Sequence, residues 1–203
     1  MTVFDRPLPS QQQRRPSVRQ LYCDLFITLD GFAKGQHSPA FFGLLGPDLE
    51  TWIQDEMARP QDIVMGRVTF ELMATMAASG SDPSSQQLTD HAKVVFSASL
   101  PEPLAWQNSR RIGGANLSSV TALKAEPGPA LRTIGSVSLV QSLLGMGVVD
   151  RLRLIVFPLV LGDTGQEPLF RGLPDMSLDL LDSRLLDGRL QVLDYRPHLL
   201  PRS

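Results

Sequence analysis

The chain has 203 residues, 42% of them hydrophobic and 20% charged, which is typical of a globular domain large enough to bury a core. A net charge of -2 lacks the basic excess that a nucleic-acid surface needs, and the single cysteine, Cys23, excludes an internal disulfide. No apolar run approaches the ~20 residues of a membrane span. We therefore expect a protein of the reducing cytoplasm that binds neither nucleic acid nor membranes.

The two ends of the chain are predicted to lie outside the fold. Residues 1–17 are rich in proline, glutamine and arginine without any hydrophobic period, so we expect a flexible extension. They also lack the apolar core of an export signal. A single domain is expected over 18–197, followed by a short tail at 198–203.

Most of the domain is predicted to alternate strands with helices. Apolar runs indicate strands over residues 18–28, 62–66, 93–97, 131–134 and 151–161. Helical spacing indicates helices that open at Pro47, after Gly66, at Ser118-Ser119 and after Ser136. The segments 34–45 and 79–85 are expected to be loops. Pro158 lies inside the last of these strands and requires a bulge or an edge position there.

The C-terminal part changes character. Two segments with strand-like patterns, one beginning at Leu178 and one ending at Tyr195, flank Asp187-Gly188, which is a turn signal for an antiparallel hairpin. Together the patterns predict an α/β fold with a mixed, mostly parallel sheet, helices on its faces and a C-terminal antiparallel hairpin.

Three predicted strands end in small or polar residues, at Gly66-Arg67, at Ser97 and at Gly135-Ser136. If these strands are parallel neighbours, the three corners share the carboxyl edge of the sheet, where open α/β sheets bind ligands. Gly66 allows a tight turn, Thr69 can cap free amides, and Arg67 adds a positive charge beside the helix dipole, which favours a phosphate. The alternative is an ordinary strand-to-helix turn with a solvated arginine.

Other site types find little support. Gly145-Met-Gly147 follows a helix and lacks the third glycine of a dinucleotide fingerprint, and no phosphate-binding P-loop sequence is present. The histidines His37, His91 and His198 are far apart in the sequence, and none forms a metal-binding pair with another histidine or with Cys23. We predict no metal site.

Asp30 is the carboxylate with the most interesting position, because it follows the first predicted strand. It could orient a substrate hydroxyl or amine, or relay a proton. The alternative is that Asp30-Gly31 forms only a turn.

Several of these segments, taken together, resemble the dihydrofolate reductase superfold, and most closely the reductase domain of riboflavin biosynthesis, the RibD C-terminal family. They are Thr28-Leu-Asp-Gly31, Val64-Met-Gly-Arg-Val-Thr-Phe-Glu71, Val94-Val-Phe-Ser97, Ile134-Gly-Ser-Val-Ser-Leu-Val140 and the run from Val149 through Pro158 to Phe170. The resemblance covers most of the chain from about residue 20 to 197. It implies a three-layer α/β/α domain and a homodimer.

The resemblance also implies an NADPH-dependent reductase, similar to 5-amino-6-(5-phosphoribosylamino)uracil reductase, that transfers a hydride to a small heterocyclic or carbonyl substrate. Asp30 would face the substrate near the nicotinamide. The cofactor would contact two groups of residues: Gly66, Arg67, Thr69 and Ser97 at its phosphates and adenosine side, and Gly135, Ser136, Val137 and Ser138 at the pyrophosphate or nicotinamide. An alternative is a non-catalytic nucleotide-binding or interaction protein that retains the scaffold.

In the dihydrofolate reductases an acidic residue on the first helix recognises the substrate. The first predicted helix here offers four candidates, and the sequence selects none of them: Asp48, Glu50, Asp55 and Glu56.

Overall fold

The computed structural model describes residues 18–80 and 83–201, so the extension expected over 1–17 lies outside the described residues. In this part the chain forms ten strands: β1 (Leu21–Thr28), β2 (Phe32–Gly35), β3 (Gln61–Gly66), β4 (Lys93–Phe96), β5 (Ser109–Ile112), β6 (Ala130–Ile134), β7 (Arg151–Phe157), β8 (Gly165–Pro168), β9 (Met176–Leu186) and β10 (Leu190–Leu199). Its α-helices are α1 (Pro47–Met57), α2 (Arg67–Ala78), α3 (Pro83–Asp90), α4 (Leu117–Ala125) and α5 (Val137–Gly145).

Eight of the strands form one sheet in the order β5-β4-β3-β6-β1-β7-β10-β9. From β5 to β7 all neighbours are parallel, whereas β10 and β9 are antiparallel. The small strands β2 and β8 pair separately. The prediction of a mixed, mostly parallel sheet with a C-terminal hairpin is therefore confirmed.

Helices cover both faces of the sheet, and the pleat of β3 shows the two sides directly. Val64 packs into the cluster that contains α4 and α5, while Ile63 and Met65 pack with Phe70 of α2. Alternate residues of a strand point to opposite faces, so two apolar layers lie on either side of one sheet. This is the expected three-layer α/β/α arrangement.

The Asp187-Gly188 turn of the hairpin has φ values of 50° and 65°. A hairpin turn of the type I′ class needs positive φ at both central residues. The hairpin is longer than predicted, since β10 continues to Leu199, which pairs with Met176. The boundary expected at residue 197 thus falls inside a strand.

The prediction for Pro158 is wrong. β7 stops at Phe157 and lies between β1 and β10 in the interior of the sheet, so Pro158 follows the strand instead of occupying a bulge or an edge. A proline lacks the amide that an internal strand must donate, which explains why the ladder ends before it. The expected loop over 34–45 also contains the end of β2 and a short 3₁₀ turn, Ala40–Gly43.

Candidate active site

The order of the strands brings the three predicted corners to one edge of the sheet. β4, β3 and β6 are parallel neighbours, and their carboxyl ends carry Ser97, Gly66 and Gly135. The corners after β3 and β6 are in contact, because a Cβ built on Gly66 would lie 3.2 Å from Oγ of Ser136. Both corners lead straight into helices, α2 and α5.

The backbone of these corners has features that suit an anion. Gly66 is the residue before α2 and offers no capping side chain. Gly135 and Ser136 have φ values of 98° and 68°, a region that serine enters only at a cost of about 1–2 kcal/mol. Free amides at a helix N-terminus favour a phosphate, and the starts of two helices meet here. At α5 the hydroxyl of Ser136 already accepts one of these amides, that of Leu139, at 3.3 Å.

The side chains predicted to hold the cofactor are only partly gathered at these corners. Thr69 lies beside Gly135, with Cγ2 3.9 Å from the position of a Cβ on that glycine. Arg67 is exposed and its Nη1 donates to Oε2 of Glu71 at 2.9 Å. Ser97 is buried, and its hydroxyl oxygen accepts the amides of Ser99 and Leu100 at 3.2 and 3.0 Å. Ser138 is exposed on the first turn of α5.

A cavity of about 690 Å³ borders the corner after β6, and Ile134, Gly135, Ser136 and Val137 form part of its wall. Its volume lies in the range of pockets that hold small ligands. The remaining wall is largely apolar and comes mainly from α1, α2 and the 3₁₀ turn, through Trp52, Ile53, Met57, Met73, Met76 and Phe41.

Two charged residues of the cavity lining, Asp24 and Arg132, belong to a buried cluster of charges. Asp24 accepts hydrogen bonds from Nε of Arg132 at 2.6 Å and from Nε of Arg153 at 2.7 Å. Nη1 of Arg153 also donates to Oε2 of Glu56 at 2.6 Å. Burial opposes the charge of Arg153, but the carboxylates of Asp24 and Glu56 hold its pKa above the usual range. The two guanidinium groups are therefore balanced by two carboxylates.

The aromatic ring of Trp52 covers this cluster. It lies 5.7 Å from the guanidinium carbon of Arg132 and 5.4 Å from that of Arg153. Because Trp52 also lines the cavity, its fluorescence should report on anything that binds there.

The structure separates the four acids of the first helix. Asp48 accepts the backbone amide of Asp187, Glu56 belongs to the buried cluster, and Asp55 does not line the cavity. Glu50 does line it, from an exposed position near the mouth.

Asp30 lies outside the lining of this cavity. Its Oδ1 accepts the hydroxyl of Thr28 at 2.6 Å, and its Oδ2 accepts the amides of Leu161 and Gly162, each at 2.9 Å. Partial desolvation opposes ionisation, but the hydrogen bonds from Thr28, Gly162 and Leu161 outweigh it and hold the pKa of Asp30 below its usual range. The contacts of Asp30 thus favour an anionic anchor between the β1–β2 turn and the segment after β7.

Sequence reasoning missed most of the cavity wall. Trp52, Met57 and Met73 have the spacing of ordinary apolar helix faces, and no pattern separates a residue that borders a void from one that fills the core. The charged cluster did leave a signal, since Asp24, Arg132 and Arg153 interrupt the apolar runs of central strands. A charge at such a position is rarely buried without a partner.

Between residues 18 and 201, leaving aside 81–82, no group of His, Cys, Asp and Glu side chains could hold a metal ion. No helix within the same described residues has the length and apolar character needed to cross a membrane.

A family model described as the RibD C-terminal domain matches residues 19–192. The chain is 29% identical over 183 residues to the uncharacterized protein YyaP of Bacillus subtilis (strain 168), covering 87% of this chain and 94% of that protein. Two solved structures share the fold at low identity. The riboflavin biosynthesis reductase Rib7 of Saccharomyces cerevisiae matches with a TM-score of 0.60 and 13% identity, over 92% of this chain and 93% of that one. The dihydrofolate reductase of Enterococcus faecalis, solved with NADP(H), matches with a TM-score of 0.55 and 14% identity, over 88% and 96%.

Proposed function

Because the chain belongs to the RibD C-terminal domain family, we propose that it is a cytoplasmic reductase that transfers a hydride from NADPH to a small substrate bound in the 690 Å³ cavity. One observation carries the proposal. The corner after β6 contacts the residue before α2, which has no capping side chain, and the same corner forms part of the cavity wall. One ligand could therefore have its phosphates at the helix ends and its reactive ring beside the substrate.

In the proposed complex the amides that follow Gly66 and Gly135 would hold the phosphates, together with the side chains of Arg67 and Thr69. Ser97 lies one strand further out, toward the adenosine side. Gly135 to Val137, which line the cavity, would hold the nicotinamide. NADPH supplies the hydride, and the chain orients the ring and excludes water from it.

The charges of the cavity favour a substrate without a phosphate. Its lining includes the acids Asp24, Glu50 and Glu167, of which Glu167 is paired with Lys34 at 2.7 Å. Its basic residue Arg132 is paired with Asp24 at 2.6 Å, and only its Nη1 has no hydrogen-bond partner. A phosphorylated sugar would have to compete with Asp24 for Arg132, the one basic residue of this lining. We propose an uncharged or cationic heterocyclic carbonyl compound, with the ring against the apolar wall and Glu50 available to accept an N–H group.

Replacing Arg67 with alanine should weaken NADPH binding about tenfold, because a charge-assisted hydrogen bond to phosphate contributes about 1.5 kcal/mol at an exposed site. Titration of the purified protein with NADPH, followed by tryptophan fluorescence, measures this change. Glu71→Gln is the matched control, since it removes the partner of Arg67 and leaves the guanidinium free. An affinity that is the same in wild type and Arg67→Ala would refute this phosphate site.

Turnover separates the proposal from its alternative. NADPH oxidation by a panel of heterocyclic carbonyl compounds supports a reductase. Tight NADPH binding without oxidation of any of them would favour the non-catalytic nucleotide-binding protein, for which the anchored, ionised state of Asp30 is the supporting observation.

The catalytic role of Asp30 stays a prediction, and Asp30→Asn tests it. If Asp30 relays a proton, the variant should lose about 100-fold in kcat while its melting temperature is unchanged. If Asp30 is an anchor, the variant should melt lower, because an amide cannot accept the Thr28, Leu161 and Gly162 bonds with the strength of a carboxylate. The depressed pKa favours the second result, with a stability contribution that is present at neutral pH and is lost as the pH falls below about 4.

A further inference from the structure

Arg132 carries a donor group that no described residue engages. Its side chain extends from the internal strand β6 and is only 7% exposed. Nε donates to Oδ2 of Asp24 at 2.6 Å, and Nη2 lies 2.6 Å from the same oxygen. Nη1 is buried and has no hydrogen-bond partner among the described residues. Oε2 of Glu56 is 3.8 Å away from it, which is too far to accept a hydrogen bond.

Arg153 offers a direct comparison, because it binds the same carboxylate. Its Nε and Nη2 donate to Asp24 at 2.7 and 2.6 Å, and its Nη1 donates to Glu56 at 2.6 Å, so each of its three nitrogens has an acceptor. Arg132 borders the cavity, whereas Arg153 is not part of the described lining. A buried N–H group without an acceptor is costly and in native proteins usually has a functional reason. The arginine with the unused donor is therefore the one at the cavity.

The pleat of β6 turns Arg132 toward the cavity side of the sheet. Alternate residues of a strand share a face, and Ile134, two residues further on, also lines the cavity. The corner at Gly135 follows directly and lines it as well. An acceptor bound to Nη1 would thus lie on the same side of the sheet as the corner that would hold the nicotinamide.

The charges around Nη1 select the kind of acceptor. The guanidinium groups of Arg132 and Arg153 are balanced by the carboxylates of Asp24 and Glu56. Arg59 adds a further cation beside Glu56, but it is 62% exposed and solvent screens it. A carboxylate or phosphate would bring an uncompensated negative charge next to Asp24, whereas a neutral carbonyl oxygen accepts the N–H group and leaves the balance unchanged.

We propose that Nη1 of Arg132 recognises the substrate by donating a hydrogen bond to the neutral carbonyl oxygen of a cyclic amide. The inference rests on the proposed function, because it concerns the substrate of the same cavity. An amide also brings an N–H group, which matches the acceptor that Glu50 offers in the same lining. Arg132 is then a specificity-determining residue, and compounds that offer only a carboxylate or a phosphate at this position are poor substrates.

Three small probes test the acceptor directly. 2-Pyridone is a neutral cyclic amide, 2-methoxypyridine keeps the ring but lacks the carbonyl group, and benzoate is an anion. Isothermal titration calorimetry of wild type should give an affinity for 2-pyridone about tenfold or more above that for each of the other two, as expected for one charge-assisted hydrogen bond in a buried site. The probes are titrated without NADPH and NADPH is titrated separately, so a failure of this inference and a failure of the reductase proposal are distinguishable.

Two matched variants assign the effect to one atom. Arg132→Lys keeps a cation beside Asp24 but removes Nη1, so the affinity for 2-pyridone should fall about tenfold while that for 2-methoxypyridine is unchanged. Arg153→Lys makes the same change in the same cluster away from the cavity and should bind 2-pyridone as wild type does. Near-UV circular dichroism establishes that both variants are folded, and the comparison of probes in wild type needs no variant.

A wild type that binds the two pyridine compounds equally well, or that prefers benzoate, would overturn the proposal. So would a folded Arg132→Lys variant with the affinity of wild type for 2-pyridone, or an equal loss of that affinity in Arg153→Lys.

Discussion

Replacing Asp24 with asparagine is expected to lower the free energy of unfolding by about 3–5 kcal/mol, the cost of breaking a buried ion pair from one side. Asp24 is 5% exposed and accepts hydrogen bonds from both Arg132 and Arg153. Asparagine keeps the shape of the side chain but removes its charge. Among the described residues, Glu56 would then be the only carboxylate paired with the two buried guanidinium groups, and its Oε2 lies 2.6 Å from Arg153 but 3.8 Å from Arg132.

Urea unfolding followed by circular dichroism measures this loss. Glu126→Gln is a matched control, because its ion pair with Arg110 is exposed and should contribute less than about 1 kcal/mol. A loss below about 1 kcal/mol for Asp24→Asn would mean that water from the cavity rehydrates Arg132. The charged cluster would then contribute little to the free energy of unfolding.

Replacing Asp187 with alanine should lower the free energy of unfolding by about 2 kcal/mol, the upper end of the range for a lost helix cap. The residue before α1 is Gly46, which has no side chain to cap the helix. Asp187, at the tip of the β9–β10 hairpin, supplies this cap: its carboxylate accepts the amides of Asp48 and Leu49 at 2.9 and 3.2 Å. A Cβ on Gly46 would overlap that carboxylate, which explains the glycine.

Thermal unfolding of Asp187→Ala and of Asp163→Ala, an aspartate exposed in the turn after β7, gives the comparison. Only the first should melt clearly lower. Equal melting temperatures for the two variants would show that water replaces the carboxylate at the start of α1 without any loss of stability.

The elements with strong local signals were predictable from the sequence. The strand before Gly66 and the helices after Gly66 and Ser136 have clear periodicity and turn residues, and the structure has them. β5 and α3 were not predicted, because their patterns are weak. Ser109–Ile112 carries two arginines in four residues and is a strand only because β4 offers it a parallel neighbour.

The candidate site likewise has parts that follow from local sequence and parts that depend on long-range contacts. The corners at Gly66 and Gly135-Ser136 depend on turn chemistry within a few residues, so the sequence contained the information to place them. The cavity depends on the gap between α1, α2 and the sheet, which no local pattern encodes. The contacts of Asp30 with Leu161 and Gly162 join segments 131 and 132 residues apart, and only the folded chain reveals them.

The position of β1 at the middle of the sheet has a consequence for how the protein is made. Asp24 of β1 binds arginines that follow it by 108 and 129 residues. At 5–20 residues per second, the ribosome needs roughly 6 to 26 seconds to synthesise the later of these partners. Throughout that delay the nascent first strand has a charge and an apolar surface with nothing to pair with, so we expect chaperones to bind it before the centre of the sheet can close.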